Sequence, residues 1–106
     1  MTDTISQDNP PKWDIALEGL AKEEAKLLAR ELRIEDFARL AREHAIRFDD
    51  IMVTMFELVL QGHWHYLNEN KQAQSLTRDE INDLYVNGRL NDKDVHEYKG
   101  YWQPDY

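Results

Sequence analysis

The sequence predicts an all-α fold: a small helical bundle with a central apolar helix and a C-terminal antiparallel helical hairpin. In the N-terminal half, apolar residues recur at steps of three and four, which is the spacing of one helix face. Near the middle of the chain, a run is apolar on nearly every side, as expected of a helix at the centre of a bundle. Two helix start signals and a glycine stop signal then follow closely near the C-terminus.

The length and composition limit the class of protein. The chain has 106 residues, which is one domain, and its 13 basic and 21 acidic side chains give a net charge of −8. This excess of acid argues against direct binding of nucleic acid or of a membrane surface, since both are polyanions. Cysteine is absent, no run of about 18 apolar residues could span a membrane, and the polar N-terminus is not a secretory signal. We therefore expect a soluble, cytoplasmic protein that does not bind membranes.

The chain divides into a lead-in segment and a single helical domain. Residues 1–12 show no apolar pattern and contain two adjacent prolines, so a disordered or extended segment is expected there. Residues 13–106 form the domain, with the bundle in 13–70 and the helical hairpin in 76–99. The aromatic tail, 100–106, is expected to lie over the domain surface rather than to continue a helix.

The first two predicted helices share one continuous apolar stripe. Residues 13–33 carry it first, and residues 34–48 repeat it. Because no glycine or proline separates the two segments, one long helix and two helices with a tight bend near Ile34–Asp36 are both compatible with the pattern. An acidic residue, Glu35 or Asp36, in the first turn of a new helix favours the bend.

Residues 49–61 predict the central helix. Asp49 and Asp50 give the start signal, and between 51 and 60 only Thr54 and Glu57 are polar. The run would also suit a buried strand, but no second strand candidate pairs with it. Part of this helix would be left uncovered in so small a chain, which favours a homodimer. The side chains expected to form the self-association surface are Met52, Met55, Phe56 and Val59.

The C-terminal hairpin carries the sharpest local signals. Thr77 and Glu80 fit a capping box, Gly88 fits a left-handed helix cap, and Asn91 begins a second short helix. Residues 76–99 resemble the SHOCT family of short helical hairpins, although the family's usual threonine and phenylalanine are replaced by asparagine and valine. The matching positions are Leu84, Gly88, Leu90, Asn91, Asp92, Asp94, Val95 and Lys99. The resemblance implies an oligomerisation or interaction module of a prokaryotic or phage protein, without catalysis.

Two histidines near the end of the central helix are weak candidates for a metal site. On a helix, His63 and His65 would point in nearly opposite directions, whereas on an extended segment they could bind one ion together. Zinc needs three or four protein ligands, so one or two more side chains would have to join these histidines. The possible further ligands are Glu57, Glu69 and His44, and their spacing matches no known zinc motif. We therefore expect no metal or other cofactor, and we keep a histidine-based metal or small-ligand binder as an alternative function.

Five arginines between residues 30 and 47 form the most basic stretch of the chain. Acidic residues are interspersed among them, so the favoured interpretation is a solvated helix face crossed by salt bridges. The alternative is an arginine patch that docks on the acidic surface of a partner. The arginines are Arg30, Arg33, Arg39, Arg42 and Arg47.

These observations together predict a non-catalytic protein-interaction or regulatory accessory protein. The serines lie in polar segments and the glycines are isolated, so neither a serine nucleophile nor a phosphate loop is indicated. A protein partner would contact an apolar helix face and the acidic surface, and the tail residues Tyr101 and Trp102 are expected to dock on it. The alternative is an acidic mimic of nucleic acid that inhibits a DNA- or RNA-binding protein with salt-dependent affinity.

Overall fold

The computed structural model describes residues 12–105, which form a mixed α/β fold. The expectation of an all-α fold is wrong, because four short strands form two antiparallel sheets, β1–β4 and β2–β3. The predicted lead-in lies outside the described residues apart from residue 12, where the first helix begins. In chain order the elements are α1 (Lys12–Leu28), α2 (Ile34–Glu43), α3 (Phe48–Leu60), β1 (Trp64–Leu67), α4 (Arg78–Asn82), β2 (Tyr85–Val86), β3 (Arg89–Leu90), α5 (Asp92–Val95) and β4 (Tyr101–Pro104).

The N-terminal stripe forms two helices rather than one. After α1 ends, Ala29 adopts a left-handed conformation with φ of 54°. The N–H of Arg30 then donates to the carbonyl oxygen of Ala25 at 3.4 Å, which is the bond that closes a Schellman motif. Glycine is the usual residue at this left-handed position. An alanine there ends the helix without giving the sequence a visible stop signal.

The next two helices end in the same way. Ala45 has φ of 55° at the end of α2, and Gly62 has φ of 82° at the end of α3. In each motif the following N–H reaches back five residues: Ile46 donates to the Ala41 carbonyl, and His63 donates to the Leu58 carbonyl, both at 2.9 Å. Tight, left-handed ends therefore set the directions in which the chain leaves all three long helices.

α3 lies at the centre of the fold and packs against α1, α2, β1 and β3. Its apolar sides are covered from several directions, which is what an all-round apolar helix requires. Within residues 12–105, no helix is both long and apolar enough to cross a lipid bilayer. The buried residues of α3 are Ile51, Met52, Thr54, Met55, Phe56 and Leu58.

The predicted aromatic tail instead contains β4, the second strand of the two-stranded β1–β4 sheet. In the β1–β4 register, Tyr66 lies opposite Trp102 and Trp64 lies opposite Pro104. On the other side of β4, Trp102 and Leu32 exchange both backbone hydrogen bonds, at 2.8 and 3.0 Å. β4 is therefore held between β1 and the segment that links α1 to α2. The expectation that the tail lies over the domain surface is therefore wrong, because β4 is part of the sheet and Trp102 is buried.

Trp102 lies at the centre of the aromatic core. Its side chain is 0% exposed and meets three other aromatic rings. The ring centroids of Phe37, Phe56 and Tyr66 lie 5.4, 5.8 and 4.8 Å from that of Trp102, and all three contacts are edge-to-face. This is the preferred geometry for aromatic pairs. The core therefore joins α2, α3 and both strands of the sheet around one side chain.

The predicted C-terminal helical hairpin is replaced by a β-hairpin between two short helices. The capping box is confirmed, since the Glu80 N–H donates to Thr77 Oγ1 at 3.2 Å and the Thr77 N–H donates to Glu80 Oε1 at 3.0 Å. Asn91 also caps α5, because its Oδ1 accepts from the N–H of Lys93 at 3.0 Å. Gly88 is left-handed, as expected, but it forms the turn of the β-hairpin rather than a helix cap.

Gly100 fixes the entry of the chain into β4 and gives a test of this architecture. A Cβ atom built on Gly100 would lie 1.8 Å from the carbonyl oxygen of Leu67, whereas one on Gly19 in α1 meets nothing within 4 Å. We expect Gly100→Ala to lower the free energy of unfolding by about 3 kcal/mol. The matched variant Gly19→Ala should raise it by about 0.5–1 kcal/mol, because alanine favours helix.

Urea unfolding followed by tryptophan fluorescence measures both changes. A Gly100→Ala variant as stable as the wild-type protein would contradict the close approach of Gly100 to β1.

Candidate functional site

The predicted self-association residues lie inside the domain. Met52, Met55 and Phe56 are 0% exposed, and Val59 is partly buried against the same core. The chain's own elements therefore cover the apolar face that suggested a homodimer. A second copy could contact the first three side chains only if the core opened.

The two predicted docking residues have different positions. Trp102 is buried in the core and offers no surface to a partner. Tyr101 is half-buried on the outer face of the β1–β4 sheet, where the ammonium of Lys71 lies 5.0 Å from its ring centroid. The same ammonium is 3.3 Å from a carboxylate oxygen of Glu31. Only Tyr101 of this pair reaches the surface, and it is partly covered by the chain itself.

The two candidate histidines are exposed near the start of β1. His65 Nε2 lies 3.5 Å from Asp105 Oδ1, and the backbone carbonyl of His63 accepts from the Asp105 N–H at 3.2 Å. In the part of the chain that the structure describes, no three histidine, aspartate or glutamate side chains are grouped to hold a metal ion. The histidines therefore contact the end of β4 rather than further metal ligands.

A concave apolar groove lies between the end of α1 and the outer edge of β4. Its volume is about 430 Å³, which is within the range of ligand-binding clefts. Small apolar side chains line much of it, and charged side chains stand beside them. The lining residues of this α1–β4 groove are Ala25, Lys26, Ala29, Arg30, Glu31, Gln103 and Pro104.

The edge of β4 at this groove is closed to strand addition. The backbone N–H and carbonyl of Trp102 are already bonded to Leu32. The next residue with the same orientation is Pro104, which has no N–H to donate. A partner strand would therefore find no donor for a hydrogen-bond ladder at this point. The groove is suited to receive a side chain, rather than to extend the sheet.

One wall of the groove is held by an ion pair between the exposed Arg30 and the buried Asp36. The guanidinium of Arg30 donates to both carboxylate oxygens of Asp36, at 2.8 and 3.0 Å, and the Arg33 N–H donates to Asp36 Oδ2 at 2.9 Å. Asp36 is only 6% exposed. Burial raises the pKa of Asp36, but the bonds from Arg30 and Arg33 outweigh it, and that pKa lies below its ordinary value of 3.8. Arg30 is therefore held in place by a partner that is ionised at neutral pH.

Two more arginines of this stretch, Arg39 and Arg47, are also paired within the chain. Arg39 bonds to Glu24 of α1 and, at 3.2 Å, to Glu43 of its own helix. Arg47 lies 3.5 Å from Asp49 at the start of α3. These contacts agree with the interpretation of a salt-bridged helix face. They also tie α1 to α2 beside the groove.

Sequence reasoning missed the residues that form this groove. Ala25 belonged to the helical stripe that was assigned to the core, and Ala29 gave no sign of a helix end. Pro104 was part of the predicted tail. The available signal was Pro104 directly after two aromatic residues and a glutamine, since aromatic residues favour strands and proline within a strand is confined to edges.

Comparison with known proteins identifies no relative: no family model, no curated protein and no solved structure matches the chain. The resemblance of residues 76–99 to a SHOCT hairpin therefore stays a prediction. The functional interpretation depends on the geometry of the described residues and, above all, on the groove.

The Arg30–Asp36 pair gives a stability prediction with a defined pH dependence. At neutral pH, we expect Asp36→Asn to lower the free energy of unfolding by about 2 kcal/mol, because Arg30 loses its anionic partner. The folded-state pKa of Asp36 is below its unfolded value of 3.8. Its stabilisation is therefore complete above that value and is lost as the pH falls through the folded pKa.

Urea unfolding of the wild-type and Asp36→Asn proteins at neutral and acidic pH measures this difference, which should shrink in acid. Glu23→Gln, at an exposed position of α1, is the matched control and should show little difference at either pH. A difference for Asp36→Asn that stays constant or grows in acid would contradict the assignment.

Proposed function

We propose that this protein is a non-catalytic protein-interaction module that binds an apolar side chain of a partner in the α1–β4 groove. The observation that carries this proposal is the groove itself, about 430 Å³ in volume and mostly apolar. Its walls are fixed, since β4 is bonded to Leu32 and Arg30 is bonded to Asp36. A preformed concave site loses little entropy on binding and is typical of side-chain recognition.

Exposed leucines at the same end of α1 support a contact surface in this region. Leu27 is 78% exposed and Leu28 is 36% exposed. Single exposed apolar residues are ordinary, but two adjacent leucines on a helix that also borders an apolar groove enlarge the surface that a partner would cover. The partner is therefore expected to bury the last turn of α1 together with the groove.

The titratable groups with altered pKa values support a non-catalytic role. Ion pairs lower the pKa of Asp36, and burial raises the pKa of Tyr66 and of Tyr98. A general acid or base works best when its pKa lies near the operating pH. Each of these shifts instead moves the pKa of the group further from neutral pH. The causes are structural, and they give no support to acid–base catalysis at these residues.

Filling the groove tests this function. Gln103 is exposed, lines the groove and lies in a strand, where tryptophan is well tolerated. We expect Gln103→Trp to abolish capture of the partner from a lysate of the source organism, because the indole would occupy the groove. Val86→Trp, at the exposed hairpin β2–β3, is the matched control and should capture the partner as the wild-type protein does.

The capture is performed at low and at high salt, with nuclease added. A partner held in the groove should remain bound at high salt, since apolar contacts are not screened. Capture by Gln103→Trp equal to that by the wild-type protein would refute the groove as the binding site. Basic proteins that are all released at high salt would favour the acidic-mimic alternative instead.

A further inference from the structure

A second concave site lies at the outer edge of β1, on the side away from β4. This β1 cleft has a volume of about 260 Å³ and shares no lining residue with the α1–β4 groove. One side is the backbone of β1, and the others are the end of α3 and the segment that leads to α4. Its lining includes Val59, Leu60, Trp64, Tyr66, Gln74 and Leu76.

The register of the sheet turns backbone groups of β1 toward this cleft. Trp102 directs its N–H and carbonyl to Leu32, on the side of β4 away from β1. Because bonded and non-bonded pairs alternate along two antiparallel strands, the Tyr66–Trp102 pair is non-bonded, and so is the next such pair at Trp64. The backbone N–H and carbonyl groups of Trp64 and Tyr66 therefore point away from β4.

Three of these four backbone groups have no backbone partner within the described residues. The fourth, the Tyr66 carbonyl, accepts from the Gln74 N–H at 2.9 Å. The Trp64 N–H, the Trp64 carbonyl and the Tyr66 N–H bond to no other backbone group there. Trp64 and Tyr66 are buried, with exposed fractions of 1% and 5%. Buried backbone groups are almost always paired, so these two donors and one acceptor form the pattern that an added strand would satisfy.

The arrangement of the three groups fits a parallel strand. In a parallel pair, one residue donates to a carbonyl of the neighbouring strand and accepts from the N–H two residues further along it. One residue of an added strand would thus bond to both the Trp64 carbonyl and the Tyr66 N–H. The carbonyl two residues before it would accept from the Trp64 N–H. An antiparallel strand would leave the Tyr66 N–H unpaired, because Gln74 occupies the position opposite Tyr66.

An added parallel strand has to end beside Tyr66. Residues 72–74 cover the rest of this edge, since the Gln74 N–H bonds to Tyr66 and the Asn68 N–H donates to the Gln72 carbonyl at 2.8 Å. A parallel strand runs toward this covered part. Its last residue is therefore a chain terminus, and the terminal carboxylate is a charged and hence stronger acceptor for the Tyr66 N–H.

The wall of the cleft selects the residue before that terminus. Successive side chains of a strand point to opposite faces of the sheet. In this register the last residue lies beside His65, which is exposed, and the residue before it lies beside Trp64, whose side chain is buried. The penultimate side chain therefore points toward Val59 and Leu60, which pack against the same core as Trp64. An apolar side chain suits this position.

We propose that the β1 cleft binds the C-terminus of a partner protein as a short parallel strand. The terminal carboxylate accepts from the Tyr66 N–H, the terminal residue's N–H donates to the Trp64 carbonyl, and the penultimate side chain is apolar. The cleft is separate from the α1–β4 groove, so this proposal does not depend on the function proposed for that groove.

Peptide titrations followed by NMR test this proposal. The probe is acetyl-Thr-Leu-Ala with a free carboxylate, added to ¹⁵N-labelled full-length protein while amide chemical shifts are recorded. The Trp64 and Tyr66 amides should show the largest shifts, and their hydrogen exchange should slow at saturation. The matched C-terminal amide should bind about 5-fold more weakly, because it lacks the charged acceptor. Acetyl-Thr-Leu-Ala-Gly-Gly should bind about 10-fold more weakly, because its penultimate residue is glycine.

Two tryptophan variants make the result specific to this cleft. Ser75 is exposed and lines the β1 cleft, so Ser75→Trp should fill it and abolish binding of the probe. Gln103→Trp, which fills the α1–β4 groove, should leave binding of the probe unchanged. Urea unfolding of both variants distinguishes a filled cleft from a loss of folding.

Equal binding of the acid and the amide would overturn the proposal, as would equal binding of the probe and the extended peptide. Slow hydrogen exchange of the Trp64 and Tyr66 amides in the free protein would also contradict it, because these groups would then already be bonded. None of these results would bear on the α1–β4 groove, which the capture by Gln103→Trp tests separately.

Discussion

The paired backbone hydrogen bonds between Trp102 and Leu32 are the interaction on which the rest of the structure depends. They join the last strand to the link between the first two helices, and they place the Trp102 ring among Phe37, Phe56 and Tyr66. A contact between such distant parts of the chain carries a large loop-closure entropy. Burial of the Trp102 side chain, one of the two tryptophans of the core, offsets this cost.

Burial of Trp102 also has an unfavourable component. Its indole N–H is buried, and among the described residues it has no hydrogen-bond partner. An unsatisfied buried donor costs about 1–3 kcal/mol. A tryptophan that buries about 200 Å² of surface gains about 5 kcal/mol at 25 cal/mol per Å². Apolar burial therefore outweighs the missing hydrogen bond, and three edge-to-face ring contacts add to the gain.

The sequence identifies the long helices well, because their signals are local. The stripe of α1 and the all-round apolar α3 follow from periodicity alone. The break after α1 is hidden, because Ala29 takes the left-handed position where glycine is usual. The β2–β3 turn had a visible signal, since Asn87–Gly88 is typical of a two-residue hairpin, but the capping motifs beside it favoured helices.

The β1–β4 sheet and the candidate site are harder to predict, for a different physical reason. Each strand has only four residues, and its partner lies far away in the sequence. An aromatic residue such as Trp102 in so short a segment fits a core or a docking tail equally well until its partner strand is known. The groove depends on the same pairing, because Pro104 lines it only when β4 lies beside α1.

The candidate groove depends on the position of β4. The strand contributes Gln103 and Pro104 to the groove, and the end of α1 supplies the opposite wall. An apolar groove gives affinity that salt does not weaken. Displacement of β4 would remove one wall of the groove and would also take Trp102 out of the core. The strand that completes the core is therefore also the element on which the proposed recognition depends.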